Sequence, residues 1–195
     1  MAAMKATLMA LLALGVCLPL GCGKKKPDKQ ANQPESNPPN QPQAKPKVEP
    51  TEATLTPGMV AAKKAYDEGR YAEAVRLYTA ELAAEEAKSV PSWVQLSYLN
   101  NQLGLALDHA GQYDKALEYY QKSLSIWLKQ LGPDHPDVAI SYNNIGWVHH
   151  SKGDPAQARD YWEKTLAIYE GRGDEGEAQE LREKIANLVS EQPND

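Results

Sequence analysis

The chain has 195 residues, with 21 Lys and Arg against 26 Asp and Glu, a formal net charge of −5, and 2 Cys. That length leaves room for one domain with appendages. The charge is uneven: residues 24–50 hold six Lys against three acids, and residues 51–195 hold 14 Lys and Arg against 23 acids, which argues against nucleic acid as a partner of the acidic body.

The chain opens with Lys5 in a short basic start, followed by an apolar run from Ala6 to Leu20. At about 15 residues the run is short for a membrane span, which takes roughly 20, and has the proportions of an export signal. No Ala-x-Ala-like cleavage site follows. The run ends Leu18-Pro19-Leu20-Gly21-Cys22, which resembles the lipobox of bacterial lipoproteins, with Pro19 where the family prefers Leu. The resemblance implies a signal peptide over residues 1–21, cleavage before Cys22, and acylation of that Cys with diacylglycerol and palmitate. It also implies a place in the bacterial cell envelope, lipid-anchored to the inner or outer membrane. Gly23 follows the Cys where Asp does not, which in enterobacteria-like systems permits outer-membrane sorting. Cleavage would remove Cys17, leaving a mature body with no disulfide and no Cys-based metal site.

Residues 22–55 are expected to form a tether. The stretch KKKPDKQANQPESNPPNQPQAKPKVEP (24–50) is dominated by Pro, Gln, Asn and Lys. It has almost nothing apolar to bury, so ordering it would not be offset, and a disordered stalk of polyproline character is predicted. A basic stalk would lie well against anionic lipid while the acidic body is held away.

From residue 57 an internal repeat takes over. DEGRYAEAVRLYTAEL (67–82), HAGQYDKALEYYQKSL (109–124) and SKGDPAQARDYWEKTL (151–166) align without gaps. Gly69, Gly111 and Gly153 lie 42 residues apart, as do Ala74, Ala116 and Ala158, then Tyr78, Tyr120 and Trp162, then Leu82, Leu124 and Leu166. Upstream, Leu103-Gly104 matches Ile145-Gly146, and Asn101 matches Asn143. Each copy predicts a helix that ends at the Gly, a tight turn, and a second helix. The small Ala lets the two helices approach, and the aromatic four residues on shares its face.

Two short motifs between the second and third copies invite other readings. His135-Pro136-Asp137 spells the loop of J-domain co-chaperones, but without that domain's basic flanks. Asp134 or His135 is expected to cap a helix with Pro136 in its first turn. His149 and His150 are adjacent, so on a helix they point about 100° apart and do not share a metal. Further on, Gly171-Arg172-Gly173-Asp174-Glu175-Gly176 fits a dinucleotide fingerprint in letters only, since it follows a helix rather than a strand. It reads as a break before a last helix, in which Leu181, Ile185 and Leu188 form one apolar stripe. Its Arg-Gly-Asp is taken as chance. No nucleophile–base constellation is present, and no Ser lies in a Gly-x-Ser-x-Gly elbow, so an enzyme is not expected.

Leu103-Gly104, Gly111-Gln112-Tyr113, Ala116, Tyr120 and Ser123-Leu124 resemble the tetratricopeptide repeat. The 42-residue period and Leu131-Gly132-Pro133-Asp134-His135-Pro136-Asp137-Val138-Ala139 resemble the kinesin-light-chain type. The first copy diverges, with Ala61-Ala62 for Leu-Gly, Glu81 at the small position and Ser89-Val90-Pro91-Ser92-Trp93 as its joint. The resemblance implies an all-α solenoid of three helix pairs and a capping helix over residues 56–192. Its repeats fall at about 57–90, 93–131 and 136–172, and its cap at 175–191.

The resemblance also implies a non-catalytic scaffold that holds a protein or peptide partner in a concave groove lined by the first helix of each pair, with no cofactor and no metal. In this register the groove receives Tyr66 with Met59 and Lys63; then Tyr98, Asn101, Leu105 and Asp108; then Ile140, Asn143, Trp147 and His150. Asn101 and Asn143 are expected to pair with the backbone of an extended peptide, because a carboxamide both donates and accepts. The alternative expectation is a structural or self-associating module of a larger envelope assembly.

Overall fold

The computed structural model describes residues 47–51 and 54–190, with side chains as far as residue 188. The expected leader, Cys22 and the tether as far as residue 46 lie outside the described residues. Among the described residues seven helices follow one another: α1 (Pro57–Asp67), α2 (Tyr71–Glu86), α3 (Trp93–His109), α4 (Tyr113–Leu131), α5 (Pro136–Ser151), α6 (Pro155–Arg172) and α7 (Glu175–Ser190). Each packs chiefly on its neighbours in sequence, and α3 also touches α5. This is the all-α array of three helix pairs and a closing helix that the repeat predicts.

Within each pair the turn is the same. Gly69, Gly111 and Gly153 have φ of 74°, 73° and 78°. In each turn the Gly N–H and the next N–H donate back into the preceding helix, as in Gln112 N to Leu107 O at 2.8 Å and Asp154 N to His149 O at 2.9 Å. These paired bonds satisfy carbonyls that a helix end otherwise leaves exposed, and the left-handed residue makes Gly the low-strain choice.

Between the helices of a pair, the second helix drives an aromatic ring against the backbone of the first. A Cβ on Gly104 would lie 2.8 Å from the Tyr120 ring, and one on Gly146 would lie 2.5 Å from the Trp162 indole nitrogen. Ala62 holds the corresponding place in the first pair and is fully buried with Tyr78. Around these contacts sit the periodic Ala74, Ala116 and Ala158, each with no exposed surface.

The joints between pairs differ from one another. At α2–α3 the buried Glu85 accepts from the Ser92 N–H at 2.7 Å and pairs with Lys88, and Ser92 then caps α3. At α4–α5 the His135 Nδ1 accepts from the Asp137 N–H at 3.3 Å, and Pro136 occupies the first turn of α5. His135-Pro136-Asp137 is therefore a buried helix start. At α6–α7 the glycine-rich string spans a break of two residues, Gly173 at φ 78° and Asp174, with its ends inside the two helices. Glu81, at the small position of the first pair, takes a hydrogen bond from Thr56, whose oxygen caps α1.

Candidate functional site

The first helices α3 and α5 and the closing helix α7 present one face along which three cavities adjoin. The first, about 210 Å³, lies between α3 and α5 and is bordered by Tyr98, Asn101 and Leu105 on one side and Ile140 and Asn144 on the other. A second, about 320 Å³, continues past Leu105, Asp108, Asn144 and Trp147. The third, about 390 Å³, lies between Trp147, His150 and Trp162 and the α7 residues Lys184 and Leu188.

The two repeat-equivalent asparagines both reach toward the next first helix. Asn101 Oδ1 accepts from Asn144 Nδ2 at 2.9 Å, and Asn143 Oδ1 accepts from Lys184 Nζ at 3.4 Å. The 42-residue register thus holds, and the amide opposite Asn101 belongs to Asn144. Tyr98 Oη accepts from Gln102 at 2.9 Å. Burial raises the Asp108 carboxyl above its ordinary range, with His109 pulling it slightly back.

At the α7 end, Lys184 Nζ sits 4.6 Å above the Trp147 ring and 5.2 Å from the Trp162 ring. A cation over an aromatic face is held by the ring quadrupole. Burial lowers the Lys184 pKa, partly opposed by Glu180. His150 packs edge-on against Trp147 at 5.6 Å. Trp147 keeps 40% of its surface exposed and so offers an indole to the cavity.

The α3–α5 part of the face is covered by residues 47–51, from the end of the stretch expected to remain a disordered tether. The Val48 N–H donates to Asp137 Oδ2 at 2.8 Å, and Val48 packs into the cluster that holds Trp93, Trp127 and Val138. Gln95 Nε2 donates to the Thr54 carbonyl at 2.9 Å. Asp137 is 3% exposed and has His135 Nδ1 3.3 Å away. Its carboxyl is raised by burial, against the lowering influence of the Val48 N–H and His135.

The sequence-predicted residues divide by place. Tyr98, Asn101 and Leu105 border the first cavity, Leu105, Asp108 and Trp147 the next, and Trp147 and His150 the last. Asn143 belongs with α7 through Lys184. Tyr66 stands apart in an aromatic cluster with Tyr71 and His109, with ring centroids 5.5 and 5.3 Å from its own. Met59 is core, 2% exposed, and Lys63 pairs with Asp67 at 2.6 Å. Asp137, Asn144 and Lys184 were not anticipated. For the first two a signal existed, since Asp137, Ile140, Asn144, Trp147 and Ser151 are spaced three and four apart, one helical stripe. Among the described residues no group of three or more His, Cys, Asp or Glu is placed to hold a metal, and no helix is long and apolar enough to cross a membrane.

Residues 95–171 match the tetratricopeptide repeat family model. The matched stretch runs from α3 through α6, the second and third helix pairs. Photosystem I assembly protein Ycf3 of Acaryochloris marina is 29% identical over 115 residues, covering 52% of this chain and 61% of that protein. Protein KINESIN LIGHT CHAIN-RELATED 3 of Arabidopsis thaliana is 26% identical over 94 residues, covering 48% of this chain and 14% of that protein. The chain therefore spans less than two thirds of these curated relatives. Among solved structures, BtubC (BKLC) from P. vanneervenii superposes with a TM-score of 0.59 at 21% identity, over 68% of this chain and 53% of that one. PcrH in complex with the chaperone binding region of PopD gives 0.55 at 16% identity, over 72% of this chain and 94% of that one. At these identities the likeness is one of fold. The helical array here carries its aromatic and amide side chains on the first-helix face.

Proposed function

We propose that this protein is a non-catalytic tetratricopeptide adaptor, lipid-anchored through Cys22 in the bacterial cell envelope, that holds a segment of a partner protein on its first-helix face. The observation that carries the reading is the run of adjoining cavities from Tyr98 to Trp147, apolar at Leu105, Ile140 and Trp147 and amide-bearing at Asn101 and Asn144. Apolar anchors with a few convergent polar groups are what a peptide site needs. PcrH, a protein of the same fold, has been solved with the chaperone binding region of PopD, which supports a peptide-holding role. The anchor rests on Leu18-Pro19-Leu20-Gly21-Cys22 and the Pro-rich stalk that follows.

In-cell crosslinking followed by pull-down tests the adaptor reading, with the native chain beside an Asn101→Ala, Asn144→Ala double variant shown by circular dichroism to be folded. A discrete partner captured by the native chain and lost by the variant supports it. The same partners with both would place function on another surface, the structural or self-associating alternative. Cys22→Ser tests the anchor separately: the protein should leave the membrane fraction and lose label from a clickable palmitate analogue.

A further inference from the structure

We propose that the groove between α3 and α5 recognises a non-helical peptide segment by a main-chain N–H and an apolar side chain, and that residues 47–51 are its built-in competitor. The inference rests on the adaptor reading and specifies its ligand and its control. Residues 47–51 have no regular secondary structure, and their fixed contacts are few. Asp137 takes the Val48 N–H at 2.8 Å, the Val48 side chain enters the cluster of Trp93 and Trp127, and Gln95 holds the Thr54 carbonyl just beyond. The exposed Lys47 and Glu49 pair with each other at the edge of the groove they border. What the groove reads is therefore one N–H and one β-branched apolar side chain, features that a segment of another protein can offer equally well.

Asp137 is suited to that reading. It is buried at the start of α5, and the carboxylate oxygen that lies 3.3 Å from His135 Nδ1 is also the one that takes the Val48 N–H, so the donor it receives is a peptide N–H. A charged acceptor makes such a bond stronger than a neutral one. A partner segment of the same chemistry needs this carboxylate and the Val48 subsite, so the two cannot be bound together. Attachment a few residues before α1 gives the internal segment an effective concentration on the order of millimolar. The affinity seen by an outside peptide is then reduced by the fraction of molecules whose groove is open.

The test uses purified full-length protein in detergent and a fluorescent peptide of sequence PKVEPT, residues 46–51, with anisotropy as readout. Val48→Pro removes the N–H, and Val48→Asp sets a carboxylate against Asp137; both changes lie outside the helices, and either alone suffices if the other impairs folding. Both variants should bind the peptide about ten-fold or more tightly than the native chain, the factor expected when the open form is a tenth of the population or less. A peptide N-methylated at its Val should fail to bind either variant. Equal binding to native and variant chains would overturn the competitor, and equal binding of the N-methylated peptide would overturn the role of Asp137. Absence of binding to all three proteins would overturn the ligand chemistry. None of these outcomes decides the Asn101 and Asn144 pull-down, so the adaptor reading stands or falls separately.

Discussion

The α3–α5 part of the first-helix face and its α7 end are both covered, but by different means. In the α3–α5 part, residues 47–51 lie over the cavity and are held by one main-chain bond to Asp137 and the half-buried Val48. At the end, Lys184 lies over Trp147 and Trp162 on a helix that also buries Ala178, Leu181 and Leu188. Removing the first cover costs a hydrogen bond and some apolar surface. Removing the second costs a piece of core. A repeat array thus walls its last cavity with a packed core helix, while the inner one is covered by a lightly held segment, although both are built on the same helix faces.

The largest expected effect comes from cutting into the packed α7 wall. Leu181→Ala should destabilise by roughly 2–5 kcal/mol, as for other buried Leu truncations. Hydrogen exchange should show protection lost in α7 while α3 and α5 keep theirs. Equal loss in all three would mean that the two regions are one cooperative unit and would break the comparison.

Next in size is the frame beneath each cover. Gly146→Ala presses on Trp162 under the end cavity, and Gly104→Ala presses on Tyr120 near the middle; each should cost about 1–3 kcal/mol in a denaturant melt. Similar costs would sharpen the comparison, showing that the frames are equivalent and only the covers differ. A smaller change is expected from Lys184→Met, which keeps an unbranched side chain and removes the charge. Loss of the cation over two indoles should cost about 0.5–2 kcal/mol and alter Trp emission.

The smallest effect is a pH dependence. Burial holds the His149 imidazole below its ordinary 6.5, with Lys152 adding to this and Asp154 opposing it. The folded state therefore binds fewer protons than the unfolded chain between the two values. Its contribution to stability is present above pH 6.5 and is lost as pH falls through the folded value. Asp137 runs the other way, since its raised carboxyl contributes below its ordinary 3.8 and loses that contribution as pH rises through the folded value. Thermal melts between pH 7 and 5 should show a decline that His149→Gln flattens.

The fold was legible because its determinants recur. The turn glycines, the small residues under the aromatics and the proline helix starts are local, and a 42-residue period places three imperfect copies in one register. The site was legible only in outline. Tyr98, Leu105 and Trp147 follow from helical spacing alone. Which amide faces Asn101 depends on how α3 and α5 meet, and that pairing fell to Asn144, one residue beyond the periodic Asn143. Lys184 escaped because the closing helix breaks the period, with a joint of two residues where the others have more. The docking of Val48 is not periodic at all: a single N–H finds a carboxylate 89 residues away.

The contrast between three identical turns and three unlike joints bears on how such an array can grow. A tandem duplication whose ends fall at a joint would set one helix pair against a seam made for another. A copy of residues 103–144, one full period cut within the first helices, would carry a glycine turn and the His135–Asp137 seam intact. The molecule should therefore tolerate lengthening by that register far better than by whole-repeat shuffling, and its order of repeats is written in the seams rather than in the repeats.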